Sequence, residues 1–192
     1  MYLHNQRKES DMFESVKFGF NTGKMCNAVR YAARAKEAGN GQKATLLLKK
    51  ALGFGHRALG IQSKKISTGQ RTAVSDCIAS IKKLYQKEVF AQMPQDDREL
   101  LMSILEAWSD IGIMTIGVPL MEQLIGMFDT AKGRLGDKKE VLGIIYDGDH
   151  APAPLRKIMK PFLAGETSQE ETEKQLDDCA AKLRKWMPEL FL

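Results

Sequence analysis

Apolar residues recur three and four positions apart along almost the whole of this chain, a spacing that fits helices and leaves little room for a sheet. The clearest case opens at Thr68, where Val74, Cys77, Ile78, Ile81, Leu84 and Tyr85 form one stripe and Arg71, Lys82, Lys83 and Lys87 lie on the other side. Upstream, after a polar N-terminal arm, Lys24–Ala38 puts Met25, Ala28, Val29, Ala32 and Ala33 on one face and Lys24, Arg30, Tyr31 and Arg34 on another, with Gly39-Asn40-Gly41 as its stop. Gln42–Leu52 reads as a short helix, apolar around most of its circumference and therefore buried. The glycines at 53, 55 and 60 predict a broken helix or turns after it.

The same spacing continues in the second half. Asp96 with Glu99 reads as a capping box, and Leu100, Leu101, Ile104, Leu105, Trp108 and Ile111 face inward while Glu99, Glu106 and Asp110 face out. Val118–Lys132 is a Met-rich apolar helix with Pro119 in its first turn. Lys138–Tyr146 is a short helix or strand, 147–154 a loop, and Leu155–Leu163 a short basic helix ending near Gly165. Ser168-x-x-Glu171 caps a long last helix with Leu176, Cys179, Ala180, Leu183, Trp186 and Met187 as its buried stripe and Pro188 as its stop. The expected fold class is all-α: two small helical subdomains, each a multi-helix bundle, meeting at Met93-Pro94, with residues 1–93 and 94–192 as the two domains.

Charge divides the chain at the same place. Residues 1–93 carry 17 Lys/Arg against 6 Asp/Glu, a net of +11, whereas residues 94–192 carry 12 against 18, a net of −6. Such asymmetry points to an anionic partner for the basic half. The longest nearly uncharged run, Ile111–Met121, falls well short of the ~20 residues that span a bilayer. The opening MYLHNQRKESD has no apolar stretch of the secretory kind, and the three cysteines, 26, 77 and 179, are odd in number and widely spaced. A reducing cytosolic or nuclear setting is expected.

Motifs for catalysis are sparse. Phe18–Met25, FGFNTGKM, has the look of a phosphate-binding loop, but only three residues separate Gly19 from Gly23, and Met25 stands where a Mg²⁺-binding hydroxyl belongs. GIIYDGD at Gly143–Asp149 resembles the acidic strand that would accompany such a loop, yet it lies among helical patterns. His4, His56 and His150 are far apart, and no Cys sits in a C-x-x-C motif. Adjacent acids such as Asp96/Asp97 or Asp177/Asp178 point about 100° apart on a helix, a poor geometry for acid–base work. The expectation is no enzyme, no catalytic residue, no metal and no cofactor.

The basic half is therefore the candidate site. From Lys17 to Lys87 there are 15 Lys/Arg and two acids, Glu37 and Asp76. The membrane- or phosphate-binding set is Lys24, Arg30, Arg34, Lys43, Lys49, Lys50, Lys64, Lys65, Arg71, Lys82, Lys83 and Lys87. Acidic lipid asks only for charge, at about 1 kcal/mol per Lys/Arg near the surface, so five such residues would supply about 5 kcal/mol and linked copies far more. Single-stranded RNA asks also for exposed rings, for which this half offers Tyr31 and Phe54. No helix-turn-helix or zinc module is legible. A basic half and an acidic half on one chain can pair head-to-tail into a polymer, with Glu99, Glu106 and Asp110 as the receiving residues. A helical adaptor docking its apolar tail, MPELFL, into a protein groove is a third class.

The segment Ala73–Phe90, AVSDCIASIKKLYQKEVF, with its Lys-Leu-Tyr-x-Lys core at Lys83–Lys87, resembles the basic helix of the orthomyxovirus matrix proteins. The all-helical, two-part, Met-rich layout is similar to theirs as well, and the length fits the compact relatives of fish isaviruses. The resemblance implies a structural protein that binds acidic membrane, polymerises into a layer under the envelope and contacts viral ribonucleoprotein or RNA. It implies a place on the cytosolic face of the host membrane and inside the virion, with the nucleus as a second compartment.

Overall fold

A computed structural model describes residues 2–106, 118–147 and 151–190, and among them there are eight helices and no strand. The protein is all-α. The chain divides into two compact units, Met1–Gln92 and Met93–Leu192.

The first unit holds α1 (Tyr2–Glu37), α2 (Gly41–Leu59) and α3 (Thr68–Ala91). The polar arm expected before Lys24 is helix instead, so α1 runs unbroken for 36 residues, about 54 Å. In the described part of its first half Met12, Phe13 and Val16 are exposed and Phe18 is buried, so no apolar stripe marks a core face there. Phe18, Met25, Ala28, Ala32 and Ala35 make the buried seam, while Val29 is half-buried and Ala33 exposed. FGFNTGKM lies within this helix, Thr22 donating to the Phe18 carbonyl at 2.9 Å, and no loop forms there.

The corner after α1 is made by Gly39, at φ 73°, where a Cβ would be strained. Its N–H donates to Lys36 O and that of Asn40 to Ala35 O, closing the last carbonyls. Asn40 then caps α2, its side-chain oxygen accepting from Lys43 N at 2.9 Å.

The expected break at Gly53–Gly60 does not occur: α2 passes through Gly53 and Gly55 to Leu59. Gly55 is a packing residue. A Cβ there would sit 2.7 Å from Ile78 Cγ1 and 2.9 Å from Met25 Sδ, so its absence lets α1 and α3 both press onto α2. Leu46 is exposed and Leu47 half-buried, so α2 is buried on one side only.

α3 starts from a capping box, Ser67 accepting from Gln70 N and Gln70 returning a bond to Ser67 N. Val74, Ile78, Ile81, Tyr85 and Val89 are buried, whereas Cys77 and Leu84 of the expected stripe are exposed.

The second unit holds α4 (Gln95–Glu106), α5 (Val118–Gly133), α6 (Lys139–Tyr146), α7 (Ala153–Ala164) and α8 (Gln169–Leu190). The α8 helix is central, packing against α4, α5 and α7. Ser168 caps it, accepting from Glu171 N at 3.1 Å. Leu176, Ala180 and Leu183 are buried with Thr172 and Leu190, while Cys179, Trp186 and Met187 are half-buried.

Pro188 does not stop α8. The helix continues to Leu190 although the proline has no N–H to give the Arg184 carbonyl and its ring crowds it. Asp96 is the second residue of α4, whose first hydrogen bond runs from Arg98 N to Pro94 O, so the expected capping box is two residues too late. Lys139–Tyr146 is helix, so no strand leads to Asp147. Met121 is buried, Met127 half-buried and Met102 exposed. Trp108, Asp110, Ile111, Met114, Asp149 and His150 lie outside the described residues.

Candidate anion-binding surface

The twelve predicted cations fall on three helices and one loop. Lys24, Arg30 and Arg34 are exposed on α1, and Lys43, Lys49 and Lys50 on α2. Lys64 and Lys65 are exposed in the α2–α3 connection, while on α3 Lys83 and Lys87 are exposed and Lys82 is half-buried. Arg71 is structural. Its guanidinium donates to the carbonyls of Leu59 at 3.1 Å and Ile61 at 2.6 Å, so it fastens the end of α2 to the start of α3.

Among the described residues, the side chains of Arg30, Lys43, Lys50, Lys64, Lys65, Lys82, Lys83 and Lys87 form no ion pair and no ring contact. Of the acids of this unit, Glu88 is buried and bound by Lys36 and Glu14 meets Lys17 at 2.8 Å, while Glu37 and Asp76 are exposed. Among the described residues, no acid therefore stands at ion-pair distance from these eight cations.

Lys24 has a definite place. Its ammonium lies 4.2 Å from the centre of the Phe20 ring and 5.5 Å from that of Phe54, and Arg57 stacks on the other ring contact of Phe54 at 4.6 Å. Lys17 lies 4.6 Å from the Phe13 ring centre and Arg34 5.9 Å from that of Tyr31. These cations sit beside negative ring faces while keeping their charge toward solvent.

Sequence reasoning missed the rings' neighbours. Met12, Phe13, Val16 and Phe20 are 57%, 62%, 65% and 60% exposed. Their spacing, with Phe13, Val16 and Phe20 three and four apart, was the available signal; reading 1–23 as an arm hid it.

The second unit treats its charges differently. Asp97 is buried, accepts the Trp186 indole N–H at 2.7 Å and has Lys182 and Lys185 each at 3.6 Å. Arg184 binds Asp129, Lys132 meets Asp177 at 2.5 Å, and Arg134 meets Asp137 at 2.9 Å. The hydrogen bond to Asp177 raises the Lys132 pKa above its ordinary value.

Of the predicted receiving acids, Glu99 is exposed and accepts from Gln95 Nε2 at 2.7 Å, Glu106 ends α4, and Asp110 lies outside the described residues. An open cleft of about 600 Å³ lies between α4, α7 and α8, with Glu99, Lys157, Asp178 and Cys179 on its walls. Burial pushes the Cys179 thiol pKa up.

Among the described residues, no group of three His, Cys, Asp or Glu is placed to hold a metal ion, and no helix is long and apolar enough to cross a membrane. No family model, curated protein or solved structure matches the chain.

Proposed function

We propose that the protein is a matrix-type structural protein that lies on acidic membrane through its basic first unit and assembles through charge opposition with the second. The observation that carries this reading is the set of exposed cations Arg30, Lys43, Lys50, Lys83 and Lys87 on α1, α2 and α3, none of them in an ion pair among the described residues, in a half-chain of net charge +11. Charge left unopposed at a surface attracts anionic lipid at about 1 kcal/mol per residue, and repetition of the chain multiplies that attraction. The acidic second half, net −6, supplies the opposite sign for a head-to-tail contact, with Glu99 as its exposed candidate.

Flotation with phosphatidylserine-containing vesicles, against phosphatidylcholine alone, tests the reading. Binding to the acidic vesicles only, weakened by Lys82→Glu/Lys83→Glu, is the expected result. No flotation at low salt would remove the membrane from consideration.

Nucleic acid is the second reading, favoured by the exposed Phe13, Phe20 and Tyr31 rings beside cations, a combination that suits base stacking. It requires RNA binding whose affinity falls steeply with salt.

A further inference from the structure

The solvent side of α1 changes character along its length. From Met12 to Phe20 it is apolar, with Met12, Phe13, Val16 and Phe20 all more than half exposed on the side opposite Phe18 and Met25. From Lys24 to Arg34 the same side carries Lys24, Arg30, Tyr31 and Arg34. Single exposed apolar residues are ordinary, but four on one helix face within about 12 Å of axis make a contiguous patch, which in soluble proteins marks a contact surface.

We infer that this stretch is an interfacial anchor. Met12, Phe13, Val16 and Phe20 enter the boundary between headgroups and acyl chains of an acidic bilayer, while Lys17, Lys24 and Arg57 remain at headgroup depth. The inference rests on the membrane reading above and adds an apolar component that salt does not screen.

Charge selects this occupant. From Lys17 to Lys36 α1 carries no acid, so the Phe20 end of the patch is bordered by Lys17 and Lys24 and by Arg57 from α2, while at the other end Asp11 adjoins Met12 and Glu14 is paired with Lys17. An amphipathic helix with aromatic and aliphatic residues on one face and Lys/Arg beside them lies in a membrane interface, apolar side down. Lys17 and Lys24 hold their ammonium groups over the Phe13 and Phe20 rings, and their flexible aliphatic stems let those groups turn to the headgroups as the rings sink. A second copy of the chain is a poorer fit, because pairing two such patches in parallel would set Lys24 and Arg57 of one copy against those of the other, an opposition that an acidic bilayer does not present. RNA would use the two rings and leave Met12 and Val16 without a role.

The test uses full-length protein, vesicles of phosphatidylserine with phosphatidylcholine, and low salt against about 0.5 M salt, where exposed charges are largely screened. The wild type should retain a bound fraction at high salt. Phe13→Ser/Val16→Ser/Phe20→Ser, all at exposed positions, should lose that fraction and bind at least about ten-fold more weakly at low salt. Lys82→Glu/Lys83→Glu should lose binding at low salt but keep the salt-resistant share. Phe20→Trp, which keeps an aromatic ring on the helix, should show tryptophan quenching by lipids brominated on the acyl chain beyond that of the parent protein.

If the wild type floats and the triple variant floats equally at both salts, or the added tryptophan is not quenched, the anchor is overturned and the electrostatic reading stands. If the wild type does not float with either vesicle, both fall. If the triple variant changes only the sedimentation coefficient, or only RNA binding, the patch belongs to a second copy or to RNA and the anchor is likewise overturned.

Discussion

The two units carry similar chemistry and dispose of it in opposite ways. In the second, Asp97, Asp129, Asp137 and Asp177 each meet Lys or Arg of the same unit, and one of them is buried against a tryptophan. In the first, most predicted cations stand on the surface with no acid beside them, and α1 exposes four large apolar side chains as well. Charge closed on itself stabilises a fold or fixes its register; charge and apolar surface left open need a partner. The comparison teaches that net charge by sequence half understates the contrast.

Substitutions can break this comparison, beginning with the largest effect. Asp97→Ala removes the acceptor of the Trp186 N–H and the counter-charge of Lys182 and Lys185, and should destabilise the second unit by about 1–3 kcal/mol in a denaturant melt. A loss near zero would mean that the buried carboxylate is no better than water as a partner for the indole. In the first unit, Gly55→Ala adds a methyl where Ile78 and Met25 already touch. Overpacking costs about 1–3 kcal/mol and outweighs the helix propensity gain of about 1 kcal/mol, so the melting temperature should fall.

Lys83→Ala should leave stability within about 0.5 kcal/mol and reduce flotation with acidic vesicles, because Lys83 is exposed and unpaired among the described residues. Arg184→Ala removes an ion pair whose side chains are both about half exposed and should change stability by less than about 1 kcal/mol. A larger loss would place that pair with Asp97 in the structural class.

The smallest effect is chemical. Burial raises the Cys179 thiol pKa, so near neutral pH its thiolate fraction drops, and alkylation followed by mass spectrometry should modify it more slowly than the exposed Cys26 and Cys77. The sign for stability follows from the same shift. With the folded-state pKa raised, the unfolded thiol ionises first, so stability is constant below the unfolded-state pKa and declines as pH rises through the folded one.

Helix content was legible because spacing reports a buried face wherever only one face is apolar. It worked for α3, α5 and α8, and it failed on the first half of α1, where Met12, Phe13 and Val16 face solvent. Glycine misled at Gly55, since propensity penalises an entropic cost that close packing against Ile78 and Met25 offsets. Proline misled at Pro188, where the helix runs two residues further despite the lost N–H. The candidate site was legible as composition but not as geometry. The cations could be counted, yet nothing in the sequence said that Arg71 turns inward onto two carbonyls or that Lys24 lies between two rings. Burial of Asp97 and Glu88 had no local signal, because each depends on a partner 52 or 89 residues away.

The bare surface of α2 at Gly55 has one more consequence. Because Met25 from α1 and Ile78 from α3 share that notch, neither can withdraw without leaving the other against empty space. Lifting α1 from α2 therefore uncovers part of α3 in the same step. The three helices should exchange their core amide protons together, as one cooperative unit, whatever surface the outer face of α1 is resting on.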